Sequence, residues 1–267
     1  MYILENPDIY LFMFQKVTRV GVKIHSEFPY TMQISAKDLG ELKMGTFCAR
    51  CFWIKRHDRE LPFQTPFAGI FSSIDSYTKE IVERYFNSNG KMPDWLGEVG
   101  NVTSIVQKPR IFEVEMHRIK LTGVPDAIFR LESGEFVIVD YKTGRYTETQ
   151  RSLLPIYETQ LNGYAYIAEK VGVRPVKSVY LAYFEPPTRS STDTLKYTAY
   201  DGFAMPFKVS IHEIKKETKS IDSLMKAAAE IYYSEEPPKG RSGCKECMKL
   251  EKLVKTLHAN SVEDCKP

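Results

Sequence analysis

VPDAIFRLESGEFVIVDYK, residues 124–142, sets Asp126, Asp140 and Lys142 into a stretch that otherwise reads as strand. Its two halves, VPDAIFRL and EFVIVDYK, are rich in β-branched and aromatic residues, and the Glu132-Ser133-Gly134 tripeptide between them is suited to a tight turn. Side chains alternate along a strand, so Asp140 and Lys142 project from one face and Tyr141 from the other. A neighbouring strand that begins beside Asp126 brings a second carboxylate toward that face. Carboxylates held together repel unless positive charge joins them. A hard cation such as magnesium takes carboxylate and carbonyl oxygens, keeps several waters and leaves positions open for a phosphate. The plain alternative is an exposed ion pair at a strand end, with Asp126 a turn residue after Gly123 and Pro125.

Working outward, Phe71, Ile74, Ile81, Val82, Tyr85 and Phe86 recur at helical spacing. Asp75 falls on that apolar face and is expected to point inward as a third carboxylate, whereas Glu80 lies off the face and Glu83 at its margin. RIFEVEMHRIKLTG, residues 110–123, reads as a strand preceding the opening pair. On the other side, PIYETQLNGYAYIAEKVGV reads as a helix with a tolerated early proline, and KSVYLAYFEPP as a further strand. LKYTAY and PFKVSIH suit an extra hairpin, SIDSLMKAAAEIYY a helix, and EEPPKGRSG a turn. Near the start, Ser35 caps a short helix in SAKDLGELKMG that Gly45 ends.

The expected order of helix, strands, helix and strand is that of an α/β chain. With 267 residues, 43% of them hydrophobic and 12% aromatic, the chain has the material for a sizeable core, and it lacks an apolar run of membrane-spanning length. The expected organisation is an N-terminal segment over residues 1–34 followed by one domain over 35–267. MYILENPDIYLFMF carries Glu5 and Asp8 early and has no basic flank or small-residue cleavage site, so a cytoplasmic protein is expected. The net charge of +3 supplies no global attraction to nucleic acid, which leaves local patches such as QKPR, RSGCK and the aromatic run YETQLNGYAYIAEK to line any path for it.

Five cysteines in a chain without an export signal disfavour a disulfide framework. Four of them form two C-x2-C pairs, Cys48 with Cys51 and Cys244 with Cys247, and four soft thiolates suit tetrahedral zinc or an iron-sulfur cluster. Such a centre would clamp the two ends of the domain together. Cys265 reads as a spare thiol.

Pro125-Asp126, thirteen intervening residues and Asp140-Tyr141-Lys142 resemble motifs II and III of the PD-(D/E)XK nuclease superfamily, and QLNGY, residues 160–164, is similar to the Q-x3-Y motif of its RecB-like branch. The capped helix leading into a cysteine in ISAKDLGELKMGTFCARCFW resembles a segment of RecB-like and CRISPR-associated exonucleases. The resemblance implies a restriction-endonuclease-like core, a central mixed sheet flanked by helices, with the cysteine clamp joining N- and C-terminal parts. It implies a magnesium- or manganese-dependent deoxyribonuclease acting on single-stranded DNA or duplex ends. By position, Asp126, Asp140 and the carbonyl of Tyr141 would ligate the metal, Lys142 would orient the attacking water and offset phosphate charge, Gln160 would place the metal water or the DNA, and Tyr164 would contact the strand. Relatives often carry His or Glu at the first motif, which has no such histidine here. Asp75 is the substitute, with Glu80 and Glu83 its competitors. Relatives with a clamp often hold a 4Fe-4S cluster on one early and three late cysteines, against two and two in this chain; the resemblance implies the cluster, with structural zinc as the alternative. An inactive DNA-binding or scaffold module is the rival to an enzyme, and a hydrolase of other phosphate esters a third reading.

Overall fold

The strands β5 (Ala127–Leu131) and β6 (Phe136–Thr143) pair antiparallel, with Ala127 opposite Val139 and Arg130 opposite Phe136. They belong to a computed structural model that describes residues 31–58, 69–107, 109–147, 151–187 and 194–263, with side chains through residue 256. The N-terminal segment expected over residues 1–34 lies outside the described residues up to residue 30. Residues 32–35 form β1 (Met32–Ser35), and residues from Thr31 onward make up one compact unit.

A five-stranded mixed sheet runs in the order β10, β7, β6, β5, β2. From β6 the chain passes through α4 (Leu154–Lys170) to β7 (Val176–Glu185), which lies parallel to β6 with Asp140 beside Leu181 and Lys142 beside Tyr183. A parallel neighbour needs such a crossover, because a hairpin can only reverse the strand. β10 (Lys208–Ile214) adds antiparallel to β7, and β2 (Val102–Ile105) antiparallel to β5. β6 is therefore flanked on both sides, and its run Val137, Ile138 and Val139 is wholly buried. Alternation divides its side chains between two cores. Ile138 packs with Leu161, Ile167 and Leu181 under α4, while Val137, Val139 and Tyr141 pack with Val82, Leu96 and Phe184 on the opposite face.

Several expectations are corrected. RIFEVEMHRIKLTG does not run as one strand. It folds into a hairpin, β3 (Glu113–Met116) and β4 (Ile119–Thr122), whose turn residues His117 and Arg118 have φ of 54° and 59°. Positive φ at both central positions gives the turn the twist that a two-residue hairpin needs. β4 then pairs in parallel with β1, and β1, β4 and β3 make a separate three-stranded sheet. The place beside β5 goes instead to β2, a short strand with no marked alternation. PFKVSIH likewise joins the large sheet as part of β10, and the small hairpin is β8 (Thr198–Ala199) with β9 (Gly202–Phe203).

The helix expected around residues 71–86 is α3 (Gly69–Asn89), but its buried residues are Thr78 and Val82, while Phe71 and Ile81 are 48% and 40% exposed. The face it presents is thus turned from the one its largest side chains suggest.

The capped helix takes the form of α1 (Ala36–Leu39), with Ser35 Oγ accepting the Asp38 amide at 3.0 Å. It lies tightly on α4. A Cβ on Gly163 would fall 2.6 Å from Ala36 Cβ, and one on Gly40 would fall 2.7 Å from Ile156 Cα. α2 (Ala49–His57), α5 (Lys219–Tyr232) and α6 (Lys245–Glu263) are further α-helices. Among the described residues, no helix is long and apolar enough to cross a membrane.

Candidate active site and cysteine centre

Asp140 is 2% exposed because it stands mid-strand on the central β6, beneath α4. Lys142, next on the same face, brings Nζ to 2.5 Å from Asp140 Oδ2. Gln160, on the α4 surface above them, joins the pair: its amide donates to Asp140 Oδ1 at 3.1 Å and its Oε1 accepts from Lys142 at 3.2 Å. The same amide lies 2.7 Å from the Tyr164 hydroxyl, one helical turn on. Burial pushes the Asp140 carboxyl up to about 6, and the Lys142 ammonium keeps it from rising further. Although Oδ2 touches Lys142, it has no aligned hydrogen bond. That oxygen is paired with the ammonium, and as a carboxylate it is the donor type that a hard divalent cation takes.

Asp126 stands at the head of β5 and is held by the strand beside it. Its Oδ2 accepts the Tyr141 amide at 2.7 Å, and its Oδ1 lies 2.7 Å from Lys79 Nζ. Lys79 also lies 2.6 Å from Asp75 Oδ2, so one ammonium links the α3 carboxylate to the strand. Burial lowers the affinity of that amine for its proton, but the hydrogen bonds to Asp126 and Asp75 outweigh it and the pKa is raised.

The expected inward Asp75 is only half-buried and reaches Asp126 through Lys79. Among the described residues, Asp75, Asp126 and Asp140 do not bring three ligand atoms within 4.8 Å of one another. Of its competitors, Glu80 turns out to solvent with Arg84 at 2.5 Å. Glu83 lines a pocket of about 40 Å³ together with Lys79, Gln107, Asp126 and Tyr141. The Tyr141 ring belongs to the opposite core, where burial, then the charges of Asp126, Glu83 and Asp75, hold its phenol protonated.

Sequence reasoning missed Lys79 and Tyr157. Lys79 was discoverable, since it follows Asp75 by four on a helix and so shares its face. Tyr157 is the first aromatic of α4, and its ring lies 4.5 Å from the Lys142 ammonium, a cation-π contact that holds the lysine from a second side. Lys37, exposed on α1, adds positive charge that also reaches Asp140.

Far apart in sequence, the two cysteine pairs meet. Cys48 Sγ lies 3.6 Å from Cys247 Sγ, and Cys51 Sγ lies 3.6 Å from Cys244 and 3.3 Å from Cys247. All four are buried and form a cluster of their own. Among the described residues, theirs are the only three or more Cys, His, Asp or Glu ligand atoms within 4.8 Å of one another, a donor set able to hold a metal. Burial raises the Cys48 thiol, but the Arg241 and Cys51 amides and neighbouring thiols outweigh it and bring the pKa to about 6. Burial and neighbouring thiols push Cys51 upward.

No curated protein matches the chain. A solved structure titled "Crystal structure of SSO0001" aligns at 12% identity with a TM-score of 0.37, covering 85% of this chain and 88% of that one. The family model that matches residues 55–249 takes in α3, both aspartate-bearing strands, Lys142, the glutamine-tyrosine helix and the second cysteine pair, and by that match the chain belongs to the PD-(D/E)XK nuclease superfamily.

Proposed function

We propose that this protein is a magnesium- or manganese-dependent deoxyribonuclease of the RecB-like type, working as an exonuclease on single strands or duplex ends in repair, recombination or the processing of CRISPR or mobile elements. Superfamily membership gives a nuclease and hence a nucleic-acid substrate. The observation that carries the catalytic reading is the buried Asp140–Lys142–Gln160–Tyr164 network beside Asp126.

Asp126, Asp140 and the main-chain carbonyl of Tyr141, with Asp75 at the margin, are the groups that would hold the metal. When bound, the ion supplies a water of lowered pKa and a positive centre for the pentacoordinate phosphate. Lys142 is held by Gln160 and Tyr157, so its ammonium is preorganised to orient the attacking water and to offset charge developing on the phosphate oxygens. Gln160 fixes the spacing of acid and amine through one planar amide, and Tyr164 anchors that amide. The reaction breaks the P–O bond to the leaving oxygen as the water oxygen forms the new one; the water gives up a proton to solvent and the leaving oxygen takes one from solvent, giving a phosphate monoester and a free hydroxyl.

End-labelled single- and double-stranded DNA incubated with either metal tests this directly. Wild-type protein is expected to shorten the labelled strands, and Asp140→Ala and Lys142→Ala to leave them intact. Cleavage surviving in both variants would remove the site. One observation favours a second reading, a binding module without catalysis: Lys79 already places a cation between Asp75 and Asp126. Gel-shift binding with no cleavage under either metal would decide for it.

A further inference from the structure

The four cysteine sulfurs are close enough together to discriminate between the two cofactors that such a set accepts. We infer that the centre holds a single zinc ion and not the 4Fe-4S cluster that the resemblance to clamped nucleases implies.

A tetrahedral site with zinc–sulfur bonds of about 2.3 Å has sulfur–sulfur edges of about 3.8 Å. The closest pairs here measure 3.3, 3.6 and 3.6 Å, and all four sulfurs fall within 4.8 Å of one another. A cubane makes a different demand. Each of its thiolates binds its own iron, so the four stand outside a body of four irons and four sulfides, on the order of 6 Å apart. The space among these sulfurs admits one ion and no such body.

The backbone supports the same reading. Cys48 is the N-cap of α2, its carbonyl accepting the Phe52 amide at 3.0 Å; Cys244 directly precedes α6, its carbonyl accepting the Met248 amide at 3.1 Å. The two C-x2-C units are thus built alike, each wrapping the start of a helix and each supplying two sulfurs. Two and two is the ligand division of paired zinc knuckles. Four thiolates around a dication carry a net charge of −2, and the positive ends of both helices face it. The Arg241 amide donates to Cys48 Sγ at 3.3 Å, so one ligand is further fixed by its surroundings.

The inference is independent of the nuclease reading and has its own test. Wild-type protein produced with zinc and iron both supplied, and purified both with and without oxygen, is analysed for metal, acid-labile sulfide and visible absorption. The expected result is one zinc per chain, no labile sulfide and no colour. Replacement by cobalt should give the intense visible bands of a tetrahedral tetrathiolate. Four irons with four sulfides per chain, one iron without sulfide, or folded protein with no metal would each overturn it. Cys51→Ser is expected to lower bound zinc at least tenfold, with Cys265→Ser unchanged as the control. Because the metal count is made first on unaltered protein, a variant that fails to fold does not decide the outcome.

Discussion

The carboxylate cluster and the cysteine cluster both gather side chains of metal-ligating type, yet their charges are balanced differently. In the first, each acid has an ammonium beside it: Lys142 on Asp140, and Lys79 on Asp126 and Asp75. In the second, four buried sulfurs crowd against one another, and the Arg241 amide donates to Cys48 Sγ. The hard site is therefore self-supporting, and on the proposed function metal entry would be an exchange of positive charge. On the zinc inference, the soft site would become a clamp as its sulfurs bind the ion as thiolates.

If that contrast holds, variants should separate activity from stability. The largest effect is expected at Asp140→Ala and Lys142→Ala, a loss of about 10²–10⁴-fold in DNA cleavage measured with magnesium in excess. Melting temperature should change far less than activity. Next, Cys51→Ser, or a strong chelator acting on unaltered protein, should lower the melting temperature on the order of 10 °C, since α2 and α6 lose their tie. Equal thermal loss from the Asp140 and Cys51 substitutions would erase the distinction between the sites.

A smaller effect sharpens the exchange idea. Lys79→Met removes the competing ammonium from Asp126 and Asp75, so manganese should bind about threefold to tenfold more tightly by calorimetry, while the metal-free protein becomes less stable. Weaker manganese binding in that variant would show that Lys79 assists the ion instead of standing in for it.

The smallest expected effect is on pH dependence. The native Asp140 carboxyl is raised from 3.8 to about 6, so between those values the folded protein keeps a proton that the unfolded chain has released. Its stabilising contribution is present at low pH and is lost as pH rises from about 4 through about 6. The melting temperature of metal-free wild-type protein, less that of Asp140→Asn, should fall across this window. A flat difference would mean that Lys142 already compensates the burial in full.

Much of this contrast was readable from the chain. Alternation placed Asp140 and Lys142 on one face and Tyr141 on the other, helical spacing placed Gln160 and Tyr164 a turn apart, and the paired cysteines announced their meeting. Other features were hidden for physical reasons. The His117–Arg118 turn has neither the glycine nor the asparagine that usually marks positive φ, so its hairpin looked like one strand. β2 is four residues long, at the lower limit of the length over which alternation distinguishes a strand. The orientation of α3 was set by what it packs on: Thr78 is buried while Phe71 is not, a preference no periodicity of large apolar residues encodes. Lys79 escaped because a search for metal ligands looks for acids and passes over the amine between them.

The seat of α1 on α4 bears on where this protein can be cut. The family match begins at residue 55, after β1, α1 and the first cysteine pair. Expressing only the matched stretch would strip the small helix from Gly163 and Gly40 from Ile156, exposing to water the helix that carries Gln160. A boundary for subcloning therefore belongs ahead of Thr31, well outside the limits that family likeness alone would recommend.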